Sequence, residues 1–342
     1  MSTAAPGPAG GHRPTVLLAM AGQLVPRAFE PELWDRLAAV CEIPDRAPLT
    51  DFTGPRAQAL LPRCEVLLAH WGCPPIDERV LAAAPALKLV AYAGGSVRPI
   101  ASPPLWASGV TVTSAAPANA RPVAEYVLAA VLFANKGAFA AREAFRTQRS
   151  RMRRCTGGGN RGRRVGLVGA SHTGRQLLRL LRPFDLDVAV ADPHLDAAEA
   201  ESLGVHKVEL DELLRTSDVV TLHVPALPST RRLLDGAALG RMRDGAVLVN
   251  TSHGSVVDEE ALLAELASGR LSAVLDVTAV EPAADDSPLY DLPNVFLTPH
   301  LAGATGTEIP RLTELAVTEI ERFAHGLGPR FEVTEEDLAR IA

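Results

Sequence analysis

His300 stands in LTPHLAGAT directly after one apolar run, and Glu281 stands in LDVTAVEP directly after another. A histidine hydrogen-bonded to a carboxylate in a partly dry cleft has its protonated form stabilised, so it can deliver a proton to a carbonyl oxygen near neutral pH. Beside a nicotinamide, such a pair completes hydride transfer. Alone, His300 would read as a strand-end capping residue; Glu281 and a dinucleotide site together favour catalysis. That dinucleotide site is read from Arg164 to Leu195, RVGLVGASHTGRQLLRLLRPFDLDVAVADPHL. The run Val165 to Val168 stops at Gly169, a helical pattern follows a short turn, and a second run, Val188 to Ala191, ends on Asp192. In such a unit the first glycine permits the tight turn. The helix start, here Ser171, His172, Thr173 and Gly174, presents unpaired N–H groups to a pyrophosphate, and the acid accepts from a ribose. Ser171 occupies the place of the second glycine, a small change that hinders phosphate approach only slightly. The plain alternative is a βαβ unit with no ligand.

Elements that would hold these residues recur along the chain. Apolar runs at Pro14 to Met20, Glu65 to Ala69, Leu87 to Tyr92 and Val110 to Thr113 alternate with helical segments such as Phe29 to Val40 and Asp77 to Ala84. Alternation of this kind implies a parallel sheet covered on both faces. Further runs at Val205 to Val208, Val219 to Val224, Ala246 to Asn250, Ala273 to Val277 and Val295 to Thr298 join the two of the glycine unit as seven candidate strands. The fold class is α/β, with doubly wound parallel sheets, which bind ligands beyond the carboxyl ends of their strands. Those ends carry Asp192, His223, Val224, Pro225, Thr251, Ser252, His253, Asp276 and His300. A long helical pattern at Ala115 to Ala141, with Asn119 as cap and Pro122 in its first turn, suggests a crossing between two domains, and the last pattern, Ile309 to Phe323, places Leu312, Ala316, Ile320 and Phe323 on one face. The tail beyond Gly326 is expected to fold back on the first domain.

The length of 342 residues suits two domains rather than one core. A hydrophobic fraction of 47% and a net charge of -6 indicate a soluble globular chain with no electrostatic attraction to nucleic acid or an anionic membrane. Residues 142–164 are rich in arginine, but arginine is the default cation here, and few aromatics interleave. A solvated or subunit-contact loop is expected there rather than a nucleic-acid arm. The four cysteines, Cys41, Cys64, Cys73 and Cys155, lack metal-ligand spacing and read as reduced, mostly buried thiols. Residues 1–13 read as a disordered tail without signal-peptide character, and the longest apolar stretch, Tyr126 to Ala134, is too short for a bilayer. The cytoplasm is the expected location.

Ordered blocks make a resemblance specific: VGLVGASHTGR, Asp192–Pro193, SDVVTLHVPALPST, VLVNTSHGSVVDEEALLAEL, LDVTAVEP and SPLYDLPNVFLTPHLAG. Over nearly its whole length the sequence resembles the D-isomer-specific 2-hydroxyacid dehydrogenases. The resemblance implies a homodimer, joined through NAD-binding Rossmann domains. Each of these is inserted in a flavodoxin-like substrate domain: 14–121 plus 310–342 for substrate, 122–309 for NAD. It implies His300 as the general acid/base, Glu281 tuning it, and Asp276 facing the nicotinamide carboxamide. His223 to Pro225 would line the adenosine side, with Thr230, Thr251, Ser252 and Gly303 completing the cofactor set. Asp192 followed by Pro193 rather than arginine implies NAD, because a 2'-phosphate would meet a carboxylate without a cationic partner. NADP is the alternative if an arginine reaches in from elsewhere.

Two departures from the family bear on the substrate. Where the family has arginine in N-x-[AS]-R-G, this chain has Asn250, Thr251, Ser252, His253, Gly254. That arginine grips a carboxylate and carbonyl with a planar fork, whereas histidine is shorter and offers at most two donors. The family's G-x-G-x-D-N loop is here Gly94, Gly95, Ser96, Val97, Arg98, Pro99. The amides of Gly94 to Val97 could still cradle a carboxylate, and Arg98 could partly replace the missing cation. Three readings follow: an NAD-dependent dehydrogenase of 2-oxo/2-hydroxy acids, with His253 near the reacting oxygen; a reductase of carbonyl compounds without an alpha-carboxylate; and a catalytically weak NAD-binding sensor. The pair of His300 and Glu281 argues against the last.

Overall fold

The apolar runs become strands because alternate residues can be buried on opposite faces of a sheet covered on both sides. The computed structural model describes residues 12–149 and 158–339, and the chain divides into two units, residues 1–119 with 304–342 and residues 120–303. The expected boundaries, after 121 and after 309, shift to 119 and 303. Ala304 is the reason at the second crossing: it is buried in the first unit's core and its amide donates to Asn119 Oδ1 at 2.9 Å.

In the first unit β1 (Val16–Ala19), β2 (Val66–Ala69), β3 (Leu89–Tyr92) and β4 (Thr111–Ser114) pair in parallel in that order. Beside β1 runs a further stretch that bridges only at its two ends, Glu42 with Thr15 and Leu49 with Ala19. Counting that stretch as the second strand, the order becomes the flavodoxin-like 2-1-3-4-5. Pro44 and Pro48 lie in it, and a proline cannot donate to a ladder, which accounts for the broken pairing. Val16 and Leu18 face one core cluster, and Leu17 and Ala19 face the other. The Ile309–Ala324 helix packs into the first of these with Leu312, Ala316 and Ile320. The tail does fold back: Ser114 N donates to Phe331 O at 3.0 Å, and Val333 N donates to Val112 O at 2.8 Å.

The second unit contains β5 (Arg163–Val168), β6 (Leu186–Ala191), β7 (His206–Lys207), β8 (Val219–Leu222), β9 (Val247–Asn250), β10 (Ser272–Leu275) and β11 (Val295–Leu297). Their parallel order is β11-β10-β9-β8-β5-β6-β7, so the direction of winding reverses between β5 and β8. A doubly wound sheet binds ligands at such a reversal, outside the carboxyl ends.

The Ala116–Asn135 helix begins three residues before Asn119, so that residue is not its cap, and Pro122 lies in its interior. Pro117 instead takes the early position where a missing N–H costs little. The expected continuation to Ala141 is broken at Gly137, whose left-handed φ of 64° starts a separate helix, Ala138–Gln148. Of the arginine-rich segment, residues 150–157 lie outside the described residues. Arg163 and Arg164 are spent on ion pairs with Asp218 at 2.7 Å and Asp187 at 3.3 Å. Among the described residues no single helix is long and apolar enough to cross a membrane.

Candidate active site

The glycine turn is set by close packing at the β5–β8 reversal. Gly169 has φ +98°, and a Cβ there would meet His223 O at 2.6 Å; a Cβ on Gly174 would meet Gly169 O at 2.5 Å. The helix His172–Leu181 starts from an extended Ser171 whose hydroxyl makes no capping bond. Its first-turn amides have no carbonyl one turn earlier to bond, which leaves them with the Ser171 hydroxyl for an anion. Desolvation, then the charge of Arg175, holds the His172 imidazole below the usual range. Asp192 accepts from Ala170 N at 2.6 Å through one oxygen and from His194 N at 2.7 Å through the other. The carboxylate therefore ties the glycine turn to the end of β6, and each oxygen keeps a lone pair for a ribose hydroxyl.

At the end of β8 the His223 ring is buried beside Thr221 Oγ1, 3.1 Å from Nε2, and burial pushes its imidazole down to about 3. With its ring enclosed, His223 offers a ligand only its backbone, while Val224 and Pro225 are half-buried. Thr230 closes this loop, its hydroxyl accepting from Leu227 N at 2.9 Å and donating to Pro225 O. After β9, Asn250 Oδ1 accepts from Ser252 N and its hydroxyl at 3.0 and 2.9 Å, and Nδ2 donates to His253 O at 3.0 Å. Thr251 Oγ1 is buried without a hydrogen-bond partner among the described residues. An orphaned hydroxyl after β9, together with a glycine turn, a free helix start and a strand-end acid on the same sheet, is the arrangement a dinucleotide would complete. Three residues on from Thr251, a Cβ at Gly254 would fall 1.9 Å from Thr278 O, so the turn carrying half-buried His253 lies on the segment leading to Glu281.

His300 Nδ1 lies 2.6 Å from Glu281 Oε2. A carboxylate accepts, so Nδ1 carries the proton and Nε2 is left for chemistry. The two side chains are 60% and 39% exposed and line a cavity of about 810 Å³. The loop that projects His300 has a left-handed backbone at that residue, φ 51°. Asp276, only 2% exposed, holds it there by accepting from Thr298 Oγ1 at 2.6 Å and from Leu301 and Ala302 N, both at 2.8 Å. Its main-chain oxygen also accepts from His300 N at 2.9 Å. Most of the accepting capacity expected to face a carboxamide is thus spent on the loop. Gly303 follows, half-buried.

In the first unit, Gly94 is obligatory, because a Cβ would fall 2.5 Å from the Tyr92 ring. The carbonyls of Gly94 and Gly95 accept from Ser114 Oγ. The amides of Gly94, Gly95, Ser96 and Val97 donate to no described group. Arg98, expected as a substitute cation, has its guanidinium on Leu338 O instead. His70, at the end of β2, was not singled out by sequence, although its strand-end position was visible there. Its ring is buried, Nδ1 accepts from Trp71 N at 2.8 Å, and Nε2 has no partner among the described residues.

No group of three or more metal-ligating side chains occurs among the described residues. Cys41, Cys64 and Cys73 are buried thiols pushed up to about 12 by desolvation; Cys155 lies outside the described residues.

The profile of the D-isomer specific 2-hydroxyacid dehydrogenase NAD binding domain matches residues 128–302. A D-3-phosphoglycerate dehydrogenase of Mycobacterium bovis is 34% identical over 296 residues, 83% of this chain and 56% of that protein, so the chain spans about half the length of such relatives. An (S)-sulfolactate dehydrogenase of Chromohalobacter salexigens is 34% identical over 249 residues, 72% of this chain and 81% of that protein. The apo structure of Rhodotorula graminis D-mandelate dehydrogenase superposes with a TM-score of 0.79 at 25% identity, covering 95% of this chain and 98% of that one. With its glycine turn, strand-end acid and His300–Glu281 pair in the matched order, the chain belongs to the D-isomer specific 2-hydroxyacid dehydrogenase family.

Proposed function

We propose that the protein is an NAD-dependent oxidoreductase that interconverts a 2-oxo acid, or a related carbonyl compound, and its hydroxy form. The observation that carries this reading is the 2.6 Å contact between His300 and Glu281, at the strand-end edge of the sheet that bears the glycine turn. A nicotinamide dinucleotide bound at that turn supplies the hydride. The residues toward it are the first-turn amides of the His172–Leu181 helix for the pyrophosphate, Asp192 for the ribose, and Thr251 and Ser252 beyond β9. NAD is favoured over NADP because Asp192 presents a carboxylate with no arginine at positions 193–195.

His300 holds a proton at Nε2 and gives it to the carbonyl oxygen, and Glu281 fixes the ring and its tautomer through Nδ1. His253 supplies a hydrogen bond where an arginine would grip a carboxylate. The unoccupied amides of Gly94 to Val97 are the carboxylate-binding element of the first unit. A second reading, a carbonyl substrate without an alpha-carboxylate, is supported by one observation: a guanidinium nitrogen of Arg98 donates to Leu338 O. A cytoplasmic homodimer built through the NAD-binding unit completes the proposal.

The test is NADH consumption across a panel of carbonyl compounds with and without an alpha-carboxylate. His300→Ala should abolish turnover while NADH still binds, read by nicotinamide fluorescence. Turnover that survives in that variant, or a wild-type protein that leaves NADH fluorescence unaltered, would overturn the reading.

A further inference from the structure

The loop bearing His300 is tied to the protein core by a side chain 172 residues away in sequence. Tyr126 OH lies 2.7 Å from Thr298 Oγ1, and Thr298 Oγ1 lies 2.6 Å from Asp276 Oδ1. A carboxylate accepts only, so the single hydroxyl proton of Thr298 is committed to Asp276, and the Tyr126 phenol must be the donor to Thr298. Hydrogen bonds thus run one way, from Tyr126 to Thr298 to Asp276. The same carboxylate clamps the far side of the loop through Leu301 N and Ala302 N. His300 stands between the two clamped ends in a left-handed backbone conformation, which for a side-chain-bearing residue persists only where surrounding contacts enforce it. Tyr126 is well placed to enforce it: it lies in the middle of the Ala116–Asn135 helix and packs against the buried cluster of Val127, Val131 and Leu167. Burial raises its phenol above the ordinary value, so it stays protonated and able to donate.

We propose that Tyr126 is a positioning residue for the His300 acid, its hydroxyl fixing through Thr298 and Asp276 the loop that aims the imidazole. The proposal rests on the reading of His300 as the acid, and two readouts separate the two. Hydrogen exchange in the apo protein reads the tether without any substrate. In Tyr126→Phe, a peptide spanning residues 298–303 should exchange about tenfold faster, on the scale that loss of one buried hydrogen bond permits, while the peptide of residues 172–181 keeps its rate. Thr298→Val should do the same, and the double variant should be no faster than Thr298→Val alone, because both act through one chain of bonds. In turnover, Tyr126→Phe should lower kcat about tenfold with KM for NADH unchanged, as misaiming the acid demands. Unchanged exchange at 298–303, a rise spread evenly over the protein, or additive effects in the double variant would overturn the tether. A faster loop with unaltered kcat would overturn its role in aiming His300. Failure to turn over any carbonyl compound would count against the enzymatic reading, while the exchange rates would still decide the tether.

Discussion

At residue 253 a histidine on a half-buried turn, seated on the Thr278 backbone by Gly254, replaces a guanidinium with a ring of two nitrogens. A bidentate, charge-assisted pair with a carboxylate is roughly twice as strong as a neutral hydrogen bond, a difference of about 1–2 kcal/mol. His253→Arg should therefore raise kcat/KM for simple 2-oxo acids about tenfold, measured by NADH absorbance with pyruvate and glyoxylate. If the variant is no better with these and loses turnover of a carboxylate-free carbonyl compound, the histidine serves that other substrate. The pairing of His300 with Glu281 was legible beforehand, because each follows a strand and the family resemblance implies their roles. The third member of the local network was not. Tyr126 sits within an apolar helical run where a tyrosine is unremarkable, and no local spacing announces a partner at Thr298.

Strand ends are where this chain concentrates its chemistry, and two of them bury a histidine with no charge partner. His70 after β2 and His223 after β8 are each pushed down to about 3 by desolvation. In the unfolded chain a histidine titrates near 6.5. Below that value the unfolded state takes up protons that the folded state refuses, so stability is fullest above pH 6.5 and is lost as pH falls toward 3. The slope is about 1.4 kcal/mol per pH unit for each histidine. Thermal melts between pH 7.5 and 5 should show midpoints falling with acid, and His70→Gln and His223→Gln should each flatten that fall; parallel curves for wild type and variants would refute the assignment. The strands that pair in ladders were readable as apolar runs, since burial on both faces of most of them leaves little choice of residue. What misled at this scale was a proline: Pro122 looked like a helix start, yet Pro117 fills that place. The second strand of the first unit escaped notice because Pro44 and Pro48 reduce it to two isolated bridges.

On the whole molecule the second unit carries an aromatic row that its own fold leaves uncovered. Phe133 meets Phe139 edge-on at 5.9 Å, and Phe139 stacks on Phe296 at 4.7 Å. Phe133 is 57% exposed and Phe296 37%, with Phe145 on the same Ala138–Gln148 helix at 58%. Contiguous exposed aromatics of this kind favour burial against another apolar surface, and a two-fold pair of copies presents the same row to itself. The homodimer proposed for this protein is therefore expected to close over Phe133 and Phe296. Sedimentation velocity at micromolar concentration should give a mass near twice 36.1 kDa for the wild type. Phe133→Asp would place a charge on that surface, where its desolvation is uncompensated, and should shift the population to monomer without changing the melting of the second unit. A wild type that sediments as a monomer, or a Phe133→Asp variant that stays dimeric, would move the interface away from this row.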